Sequence, residues 1–461
     1  MSYLEQLITE SLGLTPTEQQ RALIGALARF CGPDVPPTSV FLLNGYAGTG
    51  KTSVIAALVK ALSKIGKRTV LLAPTGRAAK VMSNFAGRQA MTIHRKIYKS
   101  EMIDSFGSFR VTAENPHTDT IFIVDEASMI GSGEGSPLLE DLIHYVYGSG
   151  HDCRMILLGD TAQLPPVGCE FSPAMQPEVL RAMGLRVSRA VMTETVRQHS
   201  GSGILYNATA LRRAMARETL PEAKIFTKPF ADVRVIESNE LEDELSSSYS
   251  NYGIDETIVI TRSNKRALDF NLAIRNQILE KEDVITVWEP LMISKNNYFW
   301  TSKIKGADFI ANGEIAFIET IYGTENVGYV RFADVALRLP DKDLTVDVKI
   351  MITSLTAETT AEQDEFLARR ALRGQDTDVL SNQAAVNKIL KADPYVNALK
   401  VKYAYAVTCH KAQGGQWESV YVDMGMLPRE ALTSLDFYRW LYTSTTRARS
   451  RLTYISHLPQ E

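Results

Sequence analysis

Residues Phe41–Val59 read FLLNGYAGTGKTSVIAALV, an apolar run that breaks into glycines, a lysine and a threonine before a helix-period pattern begins. Gly45–Thr52 fits G-x-x-x-x-G-K-[ST] in full; VFLLN precedes it as a strand, and Val54, Leu58, Leu62 and Ile65 follow at helical spacing. A strand that turns through glycines into a helix leaves backbone N–H groups and a helix N-terminus facing one point, where a polyanion is held. Gly45, Ala47, Gly48, Thr49 and Gly50, with Lys51, Thr52 and Ser53 at the helix start, are therefore expected to bind the phosphates of ATP. Lys51 is expected on the β/γ oxygens and Thr52 on Mg2+. Such loops serve kinases, transporters, switches and motors alike, so the neighbouring strands must decide among them.

TIFIVDEASMI ends a second buried run in Asp125 and Glu126. Carboxylates at the carboxyl end of a parallel strand face the ligand crevice. Asp125 is expected to act on Mg2+ and Glu126 to polarise the attacking water, which favours hydrolysis over kinase-type transfer. VFLLN, RTVLLAPT, TIFIVDE and RMILLGD alternate with helical stretches, the pattern of a parallel sheet covered by helices.

The totals are those of a soluble globular protein: 461 residues, 45% hydrophobic, 22% charged. That length predicts two to four domains. No apolar run approaches the roughly 18 residues of a membrane span, and MSYLEQLITESLGL has neither a basic start nor an apolar centre. A cytoplasmic protein without membrane contact is expected. Cys31, Cys153, Cys169 and Cys409 form no CxxC pair, which argues against zinc and a disulfide framework. The net charge of -3 neither supports nor excludes a polyanion, since positive charge can be confined to one groove.

Further polar signatures follow in order: LTPTEQQRAL, LLAPTGRAAKVM, TIHRKIY, IVDEASM, LLGDTAQLPPVG, ETVRQ, YAYAVTCHKAQGGQWESVYV and LYTSTTRARSRL. Together they resemble the Q motif and motifs Ia to VI of the superfamily 1B helicases, the Pif-type, RecD-like and Dda-like 5′-to-3′ DNA helicases. The resemblance covers nearly the whole chain. It implies a composite ATP site between two RecA-like domains, with Gln19 reading the adenine and Gly414 also at the nucleotide. Gln163 would join the catalytic residues Lys51 and Glu126, and Arg197 and Arg447 would approach the γ-phosphate. The chemistry agrees: phosphoryl transfer needs positive charge on the equatorial oxygens, and an arginine finger is worth roughly 10³–10⁵ in rate. For Gln19 the choice is open at the residue level, because TEQQ offers two adjacent glutamines.

The resemblance also implies a single-stranded DNA track over Thr75, Thr92, His94, Thr408, His410 and Lys411. Small hydroxyls and N–H groups suit phosphate contacts, which set register without reading sequence. KSEMIDSFGSFRVTAENPHTD reads as a β-hairpin, where the family carries the duplex-splitting pin of domain 1B. Phe106 or Phe109 is either the wedge or a staple holding the hairpin to its own domain.

A second α/β layer starts at ETIVITRSNKRALDFNLAIRNQIL, with KYAYAVTC, SVYVDM and RLTYIS as its later strands. Between them DVITVWEPLMISKNN, GEIAFIETIYG, VGYVRFADVALRL and LTVDVKIMI read as a small antiparallel barrel, similar to the SH3-like domain 2B. TAETTAEQDEFLARRALRG and VNKILKADPY are read as solvated helices of the same insertion. The expected domains are 1–198 for 1A, with 97–119 as the inserted 1B hairpin; 199–282 and 396–461 for 2A; and 283–395 for 2B. Tyr46 stands where the family often has proline or a small residue, and its role is open between ligand contact and packing.

The expectation is thus an α/β protein of two RecA-like P-loop domains with a hairpin and a barrel inserted. It would be an ATP-dependent DNA helicase moving 5′ to 3′, a monomer acting on single-stranded DNA, forks and partial duplexes. A related motor on RNA, and an ATP-switched nucleic-acid-binding protein without unwinding activity, are the alternatives. Polarity enters with the family alone.

Overall fold

The computed structural model describes residues 2–104, 107–133, 137–148, 150–194, 201–304, 309–357, 360–425 and 427–455; for 99–104, 107–111 and 429 it describes the backbone alone. Two compact units make up the chain: Met1–Ser100, Val111–Ile236 and Ala412–Glu461 in the first, Glu101–Arg110 and Glu237–Lys411 in the second.

In the first unit, β1 (Ser39–Gly45), β2 (Arg68–Ala73), β3 (Ala90–Thr92), β6 (Thr120–Val124), β7 (Arg154–Gly159) and β8 (Arg186–Met192) form a six-stranded sheet in the order β3-β2-β6-β7-β1-β8. Every pairing whose register is resolved is parallel. The chain visits β4 (Tyr98–Asp104) and β5 (Gly107–Thr112) as a separate two-stranded sheet where the hairpin is expected. β6 and β7 are buried along their whole length, which is why TIFIV and RMILLG run apolar without alternation. One apolar cluster packs the helices Tyr3–Leu12, Glu18–Phe30 and Lys51–Lys64 on one side of the sheet, and a second packs Leu138–Tyr147 on the other. The crossing order places the carboxyl ends of β1 and β6 in one crevice, the position at which ligands bind in open parallel sheets. β9 (Val233–Ile236) also belongs to this unit.

In the second unit, β10 (Thr257–Thr261) runs parallel to β16 (Ala406–Thr408). β11 (Pro290–Ile293), β12 (Ile315–Val327), β13 (Val330–Leu339), β14 (Leu344–Met351) and β15 (Leu399–Tyr403) close a barrel. KYAYAVTC, expected as one strand, is split: its first residues finish β15 and its last form β16. Nor is the barrel wholly antiparallel, because β14 and β15 pair in parallel at Ile350↔Leu399 and Met351↔Lys400. The helices Ala361–Ala371, Thr377–Ser381 and Gln383–Ala392 lie between those strands and return the chain to the same end, as a parallel pair requires. Back in the first unit, β17 (Trp417–Asp423) and β18 (Ala448–Ile455) pair in parallel, and β18 pairs in parallel with β9. Among the described residues no helix is long and apolar enough to cross a membrane, and all four cysteines are free.

A buried charge cluster joins the barrel to the helix before it. Asn264–Ala273 widens into a π turn over Ile274–Ile278, which presents Arg275 to Glu289. The two form a fork, Nε to Oε1 at 2.9 Å and Nη2 to Oε2 at 3.0 Å, with Tyr405 donating to Oε1 at 2.7 Å and Thr286 to Oε2 from its N–H and hydroxyl. Burial alone would raise the Glu289 carboxyl; hydrogen bonds from Arg275 and Tyr405, with the charge of Lys281, hold it below the usual range instead. Its stabilisation is therefore present above the ordinary carboxylate range and is lost as pH falls through the folded value. Glu289→Gln leaves Arg275 buried without its counter-charge, and is expected to cost about 3–5 kcal/mol by urea or thermal unfolding. The double change Glu289→Leu with Arg275→Met is expected to cost less than Glu289→Gln alone.

Candidate functional site

The phosphate loop leaves β1 at Gly45 and enters the helix Lys51–Lys64 through Gly50, whose φ of 79° no L side chain adopts readily and which contributes no side-chain cap. The N–H groups of that first turn are thus left to an external acceptor. By contrast Thr75 and Thr92 cap their own helices, at 3.2 Å to the Ala78 N–H and 3.3 Å to the Arg95 N–H. Lys51 folds back so that Nζ donates to the Gly45 and Tyr46 carbonyls. It lies so close that a Cβ on Gly45 would come within 2.5 Å of its Cδ. An uncapped helix start facing a lysine across a cradle that a Cβ would fill fits the phosphates of a nucleoside triphosphate. Thr49 is buried, its hydroxyl donating to the Tyr46 carbonyl at 2.8 Å, while Ser53 is exposed and Thr52 is partly so.

Asp125 and Glu126 follow β6, the strand beside β2 and β7. Asp125 accepts the Glu126 N–H at 2.8 Å, and Glu126 sits at φ 52°, left-handed backbone that a glutamate adopts only where its surroundings impose it. Burial raises both carboxyls; Asp125 adds to the rise at Glu126, and the charges of Arg447 and Lys51 oppose it. A carboxylate held above its ordinary range beside two cations is suited to accept a proton from water. Among the described residues no group of three or more acidic, His or Cys side chains could cage a metal. Thr52 and one carboxylate suit Mg2+, which keeps waters and phosphate oxygens as its other ligands.

Arg447 is 4% exposed. Its Nε donates to the Thr443 carbonyl at 3.0 Å, Nη1 to the Gly415 carbonyl at 3.1 Å and Nη2 to the Thr446 hydroxyl at 3.0 Å. Among the described residues these contacts take three of a guanidinium's five N–H donors and leave two. Gln163 is buried with its Oε1 unpartnered. Arg197 and Phe106 lie outside the described residues, as does the Phe109 side chain.

Gln19 and Gln20 separate cleanly. Gln20 is buried and completes a capping box with Thr17, whereas Gln19 is partly exposed, its Oε1 accepting the Thr193 and Glu194 N–H groups at 2.8 and 3.1 Å and its Nε2 donating to the Thr193 hydroxyl at 2.9 Å. Gly414, expected at the nucleotide, is placed against motif Ia: at φ 75° a Cβ there would stand 3.1 Å from the Thr75 hydroxyl. Arg77 stacks on Trp417 beside it, 4.2 Å from the ring centroid. Thr92 is buried, so its hydroxyl serves the helix Ile93–Ile97, and His94 tilts against Tyr98 at 5.6 Å between ring centroids. In the second unit Thr408 ends β16, and Thr408 and Lys411 line a recess of about 540 Å³ with Lys265, Lys402 and Ser294. Burial lowers the Lys411 ammonium, which donates to Asn312 at 2.6 Å. His410 is exposed on the same short turn.

Several contributors escape a residue-by-residue reading. Tyr442 donates to Asp160 at 2.7 Å and accepts the Ala47 N–H of the phosphate loop at 3.1 Å. Thr443 accepts the Leu164 N–H at 2.9 Å and Gln413 donates to the Leu164 carbonyl at 2.8 Å. Asn44 and Thr161 exchange hydrogen bonds at 3.0 and 3.2 Å. All lie inside or beside quoted motifs, but nothing in residue type pairs them. Tyr46 packs, with the Arg212 guanidinium 4.1 Å over its ring.

Two family models match the chain: an AAA domain over residues 17–224 and a UvrD-like helicase C-terminal domain over 403–455. The ATP-dependent RecD2 DNA helicase of Deinococcus radiodurans is 31% identical over 170 residues, 37% of this chain and 21% of that one. The ATP-dependent DNA helicase dda of Enterobacteria phage T4 is 30% identical over 128 residues, 27% of this chain and 28% of that one. The matches thus span about a quarter of these relatives' lengths. A solved Pif1 helicase from Bacteroides, in complex with ADP-AlF3 and single-stranded DNA, covers 97% of this chain and 94% of its own at 16% identity and a TM-score of 0.47. With an AAA model matching towards one end, a UvrD-like helicase segment at the other, and stretches similar to RecD2 and Dda, the chain is similar in these segments to the superfamily 1B helicases of the RecD- and Dda-like type.

Proposed function

We propose that this chain is an ATP-dependent DNA helicase that moves 5′ to 3′ along single-stranded DNA and separates the duplex ahead of it. The observation that carries the proposal is the meeting of the Arg447-bearing segment with the phosphate loop: Tyr442 takes the Ala47 N–H at 3.1 Å across 395 positions of sequence, and the next residue, Thr443, accepts Arg447 Nε on its carbonyl at 3.0 Å. A cation delivered from so distant a segment makes hydrolysis depend on how the segments are held together, which is what couples turnover to mechanical work. Similarity to relatives named ATP-dependent DNA helicases supports the same reading.

Lys51 would hold the β- and γ-phosphates, and Glu126 would take the proton of the attacking water. Gln163, with an unspent buried acceptor, would orient that water, and the two remaining Arg447 donors, with Arg197, would steady the equatorial oxygens. Thr52 and Asp125 would hold Mg2+, which supplies charge neutralisation on the phosphates. Gln19 would present its amide to the adenine. Thr75 and His94 in the first unit, and Thr408, His410 and Lys411 in the second, would meet the strand through its phosphates, contacts indifferent to sequence.

For the purified protein the proposal sets three expectations. ATP hydrolysis rises on adding single-stranded DNA and less on adding RNA of the same length, the rise shrinking with salt, and partial duplexes open from a 5′ tail; no stimulation by either polymer, or opening from 3′ tails alone, would refute the proposal. Glu126→Gln lowers kcat by about 10²–10⁴. In nucleotide-free protein it also raises the unfolding temperature at neutral pH. The carboxyl's folded value is raised, so its ionisation opposes folding at pH above that value and the gain fades in acid. Arg447→Ala and Arg447→Lys both lower kcat, the former by about 10³ or more, with nucleotide affinity changed little.

A further inference from the structure

Three consecutive residues at the tip of the phosphate loop are each met by a side chain from one of two helices. Arg212 of Gly203–Met215 covers the Tyr46 ring at 4.1 Å. Leu205 of the same helix lies where a Cβ on Gly48 would meet it at 3.1 Å. Between them, Tyr442 of Leu435–Thr445 takes the Ala47 N–H at 3.1 Å.

The direction of the Tyr442 bonds is fixed by chemistry. An amide N–H only donates and a carboxylate only accepts, so the hydroxyl accepts from Ala47 and gives its own proton to Asp160 at 2.7 Å. The ring is 1% exposed, and burial keeps the phenol well above its ordinary value, so it remains a donor across the working pH range. Asp160 also accepts the Ala162 N–H at 3.0 Å, at the head of the segment that carries Gln163. One residue on, the Thr443 hydroxyl accepts the Leu164 N–H and its carbonyl accepts Arg447 Nε at 3.0 Å.

We propose that Tyr442 is a positioning residue for ATP hydrolysis: its hydroxyl sets the Arg447-bearing helix end and the Gln163 segment against the phosphate loop, and carries the loop's nucleotide state to both. It touches no reacting atom. The inference rests on the proposed function and deepens it.

Tyr442→Phe in the full chain tests it, because the ring and its packing remain while both hydrogen bonds go. DNA-stimulated kcat is expected to fall about 10- to 100-fold, as for loss of a hydrogen bond to a charged group, while the KM for ATP and the unfolding temperature stay close to wild type. Amide hydrogen exchange with a non-hydrolysable ATP analogue gives the second readout. In wild type, peptides covering 41–59 and 435–447 both gain protection; in Tyr442→Phe the first still does and the second does not. Unchanged kcat, an equal response of both peptides, or a fall in kcat matched by a large loss of thermal stability would overturn the inference and leave the proposed function standing. A wild-type 41–59 peptide indifferent to the analogue would refute the nucleotide site itself, and the inference with it.

Discussion

A loop of backbone N–H groups binds a polyanion only if its own side chains leave those groups alone, and that constraint organises the first unit. Gly50 enters the helix Lys51–Lys64 with left-handed backbone and no capping side chain, where Thr75 and Thr92 cap the helices that follow. The loop is thereby left with donors unsatisfied from within. Its outward carbonyls at Gly45 and Tyr46 engage the Lys51 ammonium, a cation that can transfer to phosphate oxygens without either partner losing charge compensation.

Glu289 and Glu126 show what separates structural from chemical use of a carboxylate. Glu289 has both oxygens occupied by Arg275, Tyr405 and Thr286 and lies below its ordinary value; it ties the barrel to the preceding helix. Glu126 lies in left-handed backbone beside a second acid and is pushed up. Stability alone would favour neutralising it. Its retention makes sense where a proton must be accepted, and the cations that relieve it, Lys51 and Arg447, come from opposite ends of the chain.

Around this centre the polar side chains form linkages between motifs. Tyr442 joins the phosphate loop to Asp160, Gln413 and Thr443 clasp Leu164, and Gly414 and Gly415 admit the close approach of Thr75, Arg77 and Trp417. Each linkage closes a hydrogen bond or a packing gap that a free segment would lose to water. A change at one motif therefore alters the surroundings of the next.

The parallel sheet, the phosphate loop and the acid pair were legible in the chain, because each depends on local order: apolar runs of strand length, glycines at fixed offsets, carboxylates at a strand end. The barrel was legible as short β runs between turns, but not its parallel seam, which depends on where the helices Ala361–Ala371 to Gln383–Ala392 deliver Leu399. KYAYAVTC reads as one strand and serves two sheets for the same reason. Gln19 and Gln20 are equal in composition and differ only in which way a helix turn points them. Tyr46, Tyr442 and Asp160 carry no local signal of their partners; a tyrosine in an apolar helix looks like core until the fold brings an N–H and a carboxylate to its hydroxyl. Residue order alone determined which groups could do chemistry here, and tertiary structure decided which of them meet, since a hydrogen bond extends about 3 Å while its partners lie hundreds of positions apart.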